Sequence, residues 1–332
     1  EIRQDRATGK WVICAPSRGR RPSDTKERRE SGRVLPARDP DCPFCPDNEH
    51  MLPAIHLQIP KAGKGQEWRI RVVPNKFPAL LPVGGIERFT SGIHVAMPGF
   101  GRHEVLIESP YHNRDISRMA IGEVRAIIEG YHKRYVDLME QHQNLMTIIF
   151  RNHGARAGTS LIHPHSQIIV TGMGPHHVRW REETAQRYFD EWGHCVYCGV
   201  LEQELRERER LIWESECFAA FVPYGAEVPY ETWIMPKRHE ADFGSITDIE
   251  KEDLSSVLQK ILSILYERLD DPDYNYIINT SARYRANEPQ QHWYLQVRPR
   301  LTTPAGFEIG SGISINPSLP EADAKFLRGY EN

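Results

Sequence analysis

The feature that most constrains the fold of this chain is an internal duplication, because the same marks occur in the same order in both halves. Each half contains a Cys-x-x-Cys pair, a single histidine, a helical pattern, a strand ending in asparagine and a final histidine cluster. His112 precedes Asn152 by 40 residues, and His239 precedes Asn279 by the same 40 residues. Self-similarity over such distances indicates two copies of one supersecondary unit. We therefore predict two like halves, residues 1–172 and 173–332.

The apolar pattern predicts an α+β fold for each half. Apolar side chains recur at helical spacing within 124–138 and again within 254–265. Each helix is followed by a β-rich run, and further short runs have strand character. A unit of this kind forms an antiparallel sheet with one long helix packed on one face. The expected strands are 68–73, 104–107, 146–150, 217–222, 232–235 and 274–278, and the segment 171–194 is the expected connector.

Four of the six cysteines form two Cys-x-x-Cys pairs, which favour metal binding over disulfides in a cytosolic enzyme. A close pair supplies two thiolates from one turn, and histidines from other strands can complete a tetrahedral zinc site. The alternative is a pair of reduced, half-buried thiols beside ordinary histidines. Two pairs followed by histidines at matching positions favour zinc. With four protein ligands each site would be closed, and therefore structural. The predicted ligand sets are Cys42, Cys45, His112 and His163, and Cys195, Cys198, His239 and His292.

The charge of the chain requires neither a nucleic acid nor a membrane as partner. It carries 42 basic and 45 acidic residues, for a net charge of -3. It has no apolar run of the ~18 residues that a membrane helix needs, and no secretory start. The sequence therefore predicts a soluble, cytoplasmic protein.

The segment His163-Pro164-His165-Ser166-Gln167 is the strongest candidate for chemistry, because it leads directly into an apolar strand. Histidines two apart in a strand face the same side, so His163 can hold the metal while His165 stays unligated. A neutral imidazole is a good nucleophile toward phosphorus. Gln167 on the same face can donate a hydrogen bond to a phosphoryl oxygen.

The second copy of this motif bears on the role of His165. Instead of a nucleophile, His165 could be a second metal ligand or an ordinary strand histidine. The second copy keeps His292 and Gln296 but has Tyr294 in the place of His165. A duplication that keeps the metal position and loses the other histidine indicates that only one half is catalytic.

Phosphate contacts are expected from three further residues. Ser160 lies just upstream of the histidines and offers a hydroxyl group. Arg18 and Arg21 can clamp phosphate, because a guanidinium pairs bidentately with phosphate oxygens.

Motifs along nearly the whole chain resemble the galactose-1-phosphate uridylyltransferases of the histidine-triad superfamily. The run His163-Pro164-His165-Ser166-Gln167, within the segment Ser160 to Gln167, is moderately specific alone, and the other motifs in the same order make the resemblance strong. The other segments that carry it are 17–22, Cys42-Pro43-Phe44-Cys45, Pro74-Asn75-Lys76-Phe77-Pro78, 152–155, 222–224, 236–239 and His292-Trp293.

The resemblance implies two histidine-triad-like repeats in a homodimer and a ping-pong reaction. His165 would attack the α-phosphorus of a nucleoside-diphosphate sugar and expel sugar 1-phosphate, and a second phosphate group would then attack the nucleotidyl-histidine. Gln167 would steady the transferred group. Ser160, Arg18 and Arg21 would contact phosphate, and the resemblance adds substrate-binding positions at Asn75, Phe77, Asn152 and Gly158.

Two departures from the galactose enzymes concern the substrate. Ser166 stands where those enzymes typically have glycine, and Ser311-Gly312 stands where a Tyr-Glu pair handles the hexose. Both features resemble a branch that uses phosphate to cleave ADP-glucose. Uridylyl transfer to galactose 1-phosphate is the first prediction, and ADP-glucose phosphorylase is its alternative. Weaker alternatives are a nucleotide hydrolase and a non-enzymatic zinc-binding module.

Overall fold

The two halves of the chain share one sheet in the computed structural model, which describes residues 1–20, 35–61 and 67–329. The strands in that part of the chain are β1 (Ile2–Gln4), β2 (Trp11–Cys14), β3 (Leu57–Pro60), β4 (Trp68–Pro74), β5 (Phe89–Ser91), β6 (His94–Ala96), β7 (Gly101–Ile107), β8 (Met146–His153), β9 (His165–Thr171), β10 (Leu211–Glu214), β11 (Phe218–Phe221), β12 (Thr232–Pro236), β13 (Tyr274–Asn279), β14 (Tyr294–Pro299) and β15 (Ser314–Asn316). The α-helices are α1 (Ile121–Met139), α2 (His176–Trp192), α3 (Val196–Glu207), α4 (Asp248–Leu269), α5 (Gly306–Ser311) and α6 (Pro320–Arg328).

Ten of these strands form a single antiparallel sheet in the order β10-β11-β12-β14-β13-β8-β9-β7-β4-β3. The first five come from the C-terminal half and the last five from the N-terminal half. They meet where β13 pairs with β8, with Ile277 opposite Phe150. The predicted α+β class is confirmed. The joining of the two half-sheets is a feature that the local sequence pattern did not indicate.

The two long helices pack side by side on one face of this sheet. The apolar stripes predicted within 124–138 and 254–265 are buried in α1 and α4, which confirms both helices. Gly130 allows α1 to approach the sheet closely, because a Cβ atom there would lie 2.9 Å from side-chain atoms of both Ile70 and Leu106. Thr247 caps α4 by accepting a hydrogen bond from the Glu250 N–H.

The opposite face of the sheet is covered differently in the two halves. Over the C-terminal half, residues of α2 and α3 form an apolar layer with Ala7, Trp233 and Tyr294. The first residues of the chain therefore lie against the C-terminal half, where β2 also pairs with β15. Over the N-terminal half a smaller cluster joins the Cys42-to-Cys45 turn to Trp68 and Ile107. None of the helices in the described ranges is long and apolar enough to cross a membrane.

Candidate active site and metal clusters

His165 is the first residue of β9, as expected for a motif at the mouth of a strand. The side chains of this strand alternate between the two faces of the sheet. Ile168 and Val170 belong to the core beneath α1, so His165 and Gln167 face the other side. His165 and Gln167 therefore lie on one face of the strand, as the sequence predicted.

The His165 ring is held in a defined orientation. Its Nδ1 lies 2.8 Å from the carbonyl oxygen of His163. A carbonyl can only accept, so Nδ1 carries the proton and Nε2 keeps its lone pair. Phe44, from the Cys-x-x-Cys turn, packs edge-on against the ring with the centroids 5.4 Å apart. Burial lowers the pKa of His165, so the neutral, nucleophilic form is favoured.

A buried ionic network supports the strand from the opposite face. Ser166 donates a hydrogen bond to the Glu108 carboxylate and also bonds to the hydroxyl of Tyr131. Arg151 pairs with Glu108 at 3.0 Å and with Asp115 at 2.6 Å. Burial alone would lower the pKa of Arg151, but Glu108, Tyr274 and Asp115 together outweigh it and raise that pKa well above its ordinary value. The Ser166 side chain thus lies in the interface between the sheet and α1, on the face of the sheet opposite to His165.

Gln167 is held by a histidine that the sequence did not single out. Its Oε1 lies 2.7 Å from Nε2 of His103, on the adjacent strand β7. The other nitrogen of His103, Nδ1, accepts the backbone N–H of Ala79 at 3.2 Å. Asn75 also approaches, with its Nδ2 3.1 Å from His103 Nε2 and its Oδ1 accepting the Phe77 N–H. Asn75 and Gln167, predicted separately, are thus brought together through His103.

A cleft of about 580 Å³ opens beside His165. Asn152 and Ser160, both predicted to contact substrate, line it, and Asn152 Oδ1 accepts a hydrogen bond from Asn275. Gly158 closes the 3-10 turn after β8 with a left-handed φ of 88°, a conformation that glycine adopts without steric cost. Residues of both halves form the wall: Leu35, Arg151, Asn152, His153, Gly154, Ala155, Thr159, Ser160, Leu161, Ile162, His163, Pro164, His165, Tyr266, Asp270 and Asp271.

The predicted phosphate clamps are not among these lining residues. Arg18 is exposed in the 3-10 helix Pro16–Arg20, where a Cβ on Gly19 would lie 3.1 Å from the Pro317 carbonyl oxygen. Arg21 lies outside the described residues. Phe77 follows Asn75 and exposes 81 % of its surface.

The first predicted ligand set is brought together beside the candidate active site. The ligand atoms of Cys42, Cys45, His112 and His163 lie within 4.8 Å of one another, and all four residues are buried. Nδ1 of His163 is 3.7 Å from Cys42 Sγ and 3.6 Å from Cys45 Sγ. Its Nε2 donates to the Ser109 carbonyl at 2.8 Å, which leaves Nδ1 as the ligand nitrogen. Burial lowers the pKa of His163 to about 4, and a neutral imidazole is the form that binds metal.

The second predicted set has the same arrangement in the C-terminal half. The ligand atoms of Cys195, Cys198, His239 and His292 also lie within 4.8 Å of one another. Cys198 Sγ is 3.2 Å from His239 Nδ1 and 3.6 Å from His292 Nδ1. His292 Nε2 donates to the Pro236 carbonyl at 3.1 Å. This set is less enclosed, because Cys198 is only partly buried and His239 is exposed.

Both clusters fit zinc. Tetrahedral bonds of about 2.3 Å to sulfur and 2.0–2.1 Å to nitrogen place these atoms about 3.6 Å apart. Most of the measured separations between sulfur and nitrogen agree with that distance. Two thiolates and two imidazoles are also a donor set typical of structural zinc.

The second copy of the candidate catalytic motif occupies the equivalent place in the sheet. Tyr294 begins β14 as His165 begins β9. Tyr294 is buried against Trp233, with their rings stacked 4.3 Å apart. Gln296 donates its amide N–H to the carboxylate of Glu231 at 2.6 Å. This half therefore has a buried aromatic ring in the place of the free imidazole, and its glutamine is bonded to an internal carboxylate.

Comparison with known proteins identifies similar chains over the full length. Models of the galactose-1-phosphate uridyl transferase N-terminal and C-terminal domains match residues 1–175 and 181–302. ADP-glucose phosphorylase of Arabidopsis thaliana is 36% identical over 337 residues, which are 99% of this chain and 92% of the relative. Galactose-1-phosphate uridylyltransferase of Thermotoga maritima is 28% identical over 100% of this chain and 98% of the relative.

Solved structures give the same result. The crystal structure of an ADP-glucose phosphorylase from Arabidopsis thaliana with bound ADP-glucose superposes with a TM-score of 0.86 at 33% identity, covering 100% of this chain and 98% of that one. A uridylyltransferase structure matches with a TM-score of 0.75 at 25% identity, covering 99% of this chain and 98% of that one.

Proposed function

Because the chain belongs to the galactose-1-phosphate uridyl transferase family and is a nucleotidyltransferase, we propose that it cleaves ADP-glucose with inorganic phosphate through a covalent intermediate on His165. The observation that favours ADP-glucose is the 36% identity to a phosphorylase of that sugar nucleotide over 99% of this chain. The galactose enzyme of Thermotoga maritima reaches 28%.

The orientation of His165 supports its role as nucleophile. Its Nε2 lone pair would form a bond to the α-phosphorus of ADP-glucose while the bond from that phosphorus to the bridging oxygen breaks, which releases glucose 1-phosphate. The imidazole gains positive charge in this step, and the His163 carbonyl that accepts the Nδ1 proton at 2.8 Å would stabilise it. An oxygen of inorganic phosphate would then attack the same phosphorus, which yields ADP and restores neutral His165. Glucose 1-phosphate is a stable anion, so its departure needs no general acid.

The other predicted residues would bind and orient the substrate. The Gln167 amide would donate to a non-bridging oxygen of the transferred phosphoryl group, and the exposed Phe77 ring could stack on the nucleobase. The remaining proposed contacts are Ser160, Asn75, Asn152 and Gly158 near the cleft, and Arg18 and Arg21 for phosphate.

Zinc in the two clusters would have a structural role, because four protein ligands leave no open position for substrate. In the first cluster, His163 supplies a ligand nitrogen and its carbonyl group holds His165. Fixing His163 therefore also fixes the nucleophile.

We further propose a homodimer in the cytoplasm. The segment around β5 and β6 exposes large apolar side chains, including Phe89 at 60 %, Ile93 at 93 % and Val95 at 64 %. Exposed apolar patches of this kind mark association surfaces, and a second copy is the partner that the family resemblance implies. The six cysteines are unpaired, as is usual in a reducing compartment.

Trapping the intermediate tests the reaction. The protein is incubated with ADP-glucose or UDP-glucose labelled at the α-phosphate, denatured, and assayed for acid-labile label on histidine. We expect label from ADP-glucose, none in His165→Ala, and full labelling in the control Tyr294→Phe at the duplicated position. Label that persists in His165→Ala, or none in the wild type, would contradict the covalent mechanism.

Adding an unlabelled acceptor to the labelled protein identifies the group that accepts the nucleotide. Labelled wild-type protein should release labelled ADP when phosphate is added. Uridylyl transfer to galactose 1-phosphate is the second candidate, favoured by the family models that match both halves. It would be established by stronger labelling from UDP-glucose and release of labelled UDP-galactose.

A further inference from the structure

Gln167 and Gln296 occupy equivalent positions in the two halves. One has a hydrogen-bond donor as its partner and the other has an acceptor. Gln167 lies opposite Val105, two residues after His103. Gln296 lies opposite Trp233, two residues after Glu231. His103 and Glu231 are therefore related by the duplication, and each contacts the glutamine of its own half.

The two partners orient the glutamine amide in opposite senses. In the C-terminal half the Glu231 carboxylate can only accept, and it takes the N–H of Gln296 at 2.6 Å. Glu231 also accepts the indole N–H of Trp233 at 3.0 Å. The donor end of this glutamine is therefore consumed within the protein.

In the N-terminal half the backbone fixes the tautomer of His103. The Ala79 N–H is an unambiguous donor and lies 3.2 Å from His103 Nδ1, so that nitrogen must accept. The proton of the neutral ring is then on Nε2, which donates to Gln167 Oε1 at 2.7 Å. Asn75 Nδ2, 3.1 Å from the same nitrogen, is itself a donor because Asn75 Oδ1 is held by the Phe77 N–H. With the proton on Nε2 this contact joins two donors and is not a hydrogen bond, so Asn75 does not accept the Nε2 proton and the tautomer rests on the Ala79 N–H.

We propose that His103 is a positioning residue that engages the carbonyl end of Gln167 and so directs its NH₂ group toward the transferred phosphoryl group. This inference rests on the proposed function for the identity of the acceptor, but the tautomer and the amide orientation do not depend on it. An unrestrained primary amide could present either end to the anion, and the carbonyl end would repel it. His103 removes that alternative before substrate binds, which is the preorganisation that electrostatic catalysis requires.

Substitutions at 103 distinguish this role from a structural one. His103→Glu copies the C-terminal half and should turn the amide, slowing labelling of His165 by about 100-fold, the scale of losing one preorganised donor. His103→Gln can place an N–H near the position of Nε2 and should retain the rate within about fivefold. Glu231→Gln, the same kind of change at the duplicated position, should leave the rate unchanged.

Two further measurements decide the outcome. In a Gln167→Ala background, His103→Glu should slow labelling less than about twofold, because His103 acts through Gln167. A structural defect would instead lower the rate by the same factor in both backgrounds and would overturn the proposal. Nitrogen NMR of histidine-labelled protein, assigned with His103→Gln, should show His103 protonated at Nε2. Protonation at Nδ1 would overturn the proposal for His103, whether or not the protein is labelled. Failure of both sugar nucleotides to label the protein would contradict only the proposed function.

Discussion

Replacing Ser166 with glycine tests whether the residue that distinguishes this chain from the galactose enzymes selects the substrate. The Ser166 side chain is fully buried and faces Glu108 and Tyr131 beneath α1, on the face of the sheet opposite to His165. We therefore expect Ser166→Gly to change stability and not specificity. The ratio of kcat/KM for ADP-glucose to that for UDP-glucose should stay within about twofold of the wild-type value.

The stability change follows from two contributions. A hydrogen bond to a charged group contributes about 1.5–3 kcal/mol, and glycine within a strand costs about 0.5–1 kcal/mol through backbone entropy. Glu108 keeps Arg151, and Tyr131 keeps Tyr276, so neither group is left without a partner. The free energy of unfolding should therefore fall by about 2–4 kcal/mol.

Urea unfolding at saturating zinc, followed by circular dichroism, measures this change. The control Ser166→Ala keeps the Cβ atom and should lose only the hydrogen-bond contribution. A shift of tenfold or more toward UDP-glucose, with unchanged unfolding, would refute the reasoning, because the side chain would then be acting on the substrate side of the sheet.

Four further predictions concern the rest of the molecule. Cys42→Ser should reduce bound zinc from two ions per chain to one by elemental analysis, and a chelator should remove zinc from the more exposed Cys198 cluster first. Introducing Tyr294→His into the His165→Ala variant should restore no labelled histidine, because the Glu231 carboxylate already accepts the Gln296 amide N–H that a phosphoryl oxygen would need. Burial raises the pKa of Asp5 from 3.8 to about 6, so stability should fall by at most ~3 kcal/mol as the pH rises through this interval. Asp5→Asn should abolish that fall, as measured by urea midpoints at pH 4.5 and pH 7. Ile93→Asp should convert the proposed dimer to a monomer in light scattering without preventing folding, whereas a dimeric mass that is unchanged in the variant would place the interface elsewhere.

The sequence predicted the features that depend on local spacing. The apolar stripes of α1 and α4 are periodic because each helix buries one face. Both helices could therefore be predicted without knowing what they pack against. The two ligand sets were found because a Cys-x-x-Cys pair is a local signature and the duplication repeated it. His165 was separated from His163 by the same comparison, since Tyr294 replaces only one of them.

The features that were missed depend on pairings between distant segments. Nothing local marks β8 and β13 as neighbours, because their side chains would suit any antiparallel partner. His103 is an ordinary histidine in the sequence, and only the pairing of Val105 with Gln167 places it beside the catalytic motif. The same applies to the packing of the first residues on the C-terminal half, which brings Asp5 close to Gly225, where a Cβ atom would lie 2.9 Å away.

The structure also gives a reason why the duplicated half keeps the proposed metal ligands but has no counterpart of the proposed nucleophile. His292 still joins the Cys195 turn to the sheet, so loss of a ligand would disturb the fold of that half as well as its chemistry. Tyr294 faces no such constraint, and its ring now packs on Trp233. Once Glu231 accepts the amide N–H of Gln296, that glutamine has a protein partner in place of a phosphoryl oxygen. Restoring chemistry there would require replacing both Tyr294 and Glu231, since with a histidine alone the Gln296 amide N–H would still be taken by the Glu231 carboxylate.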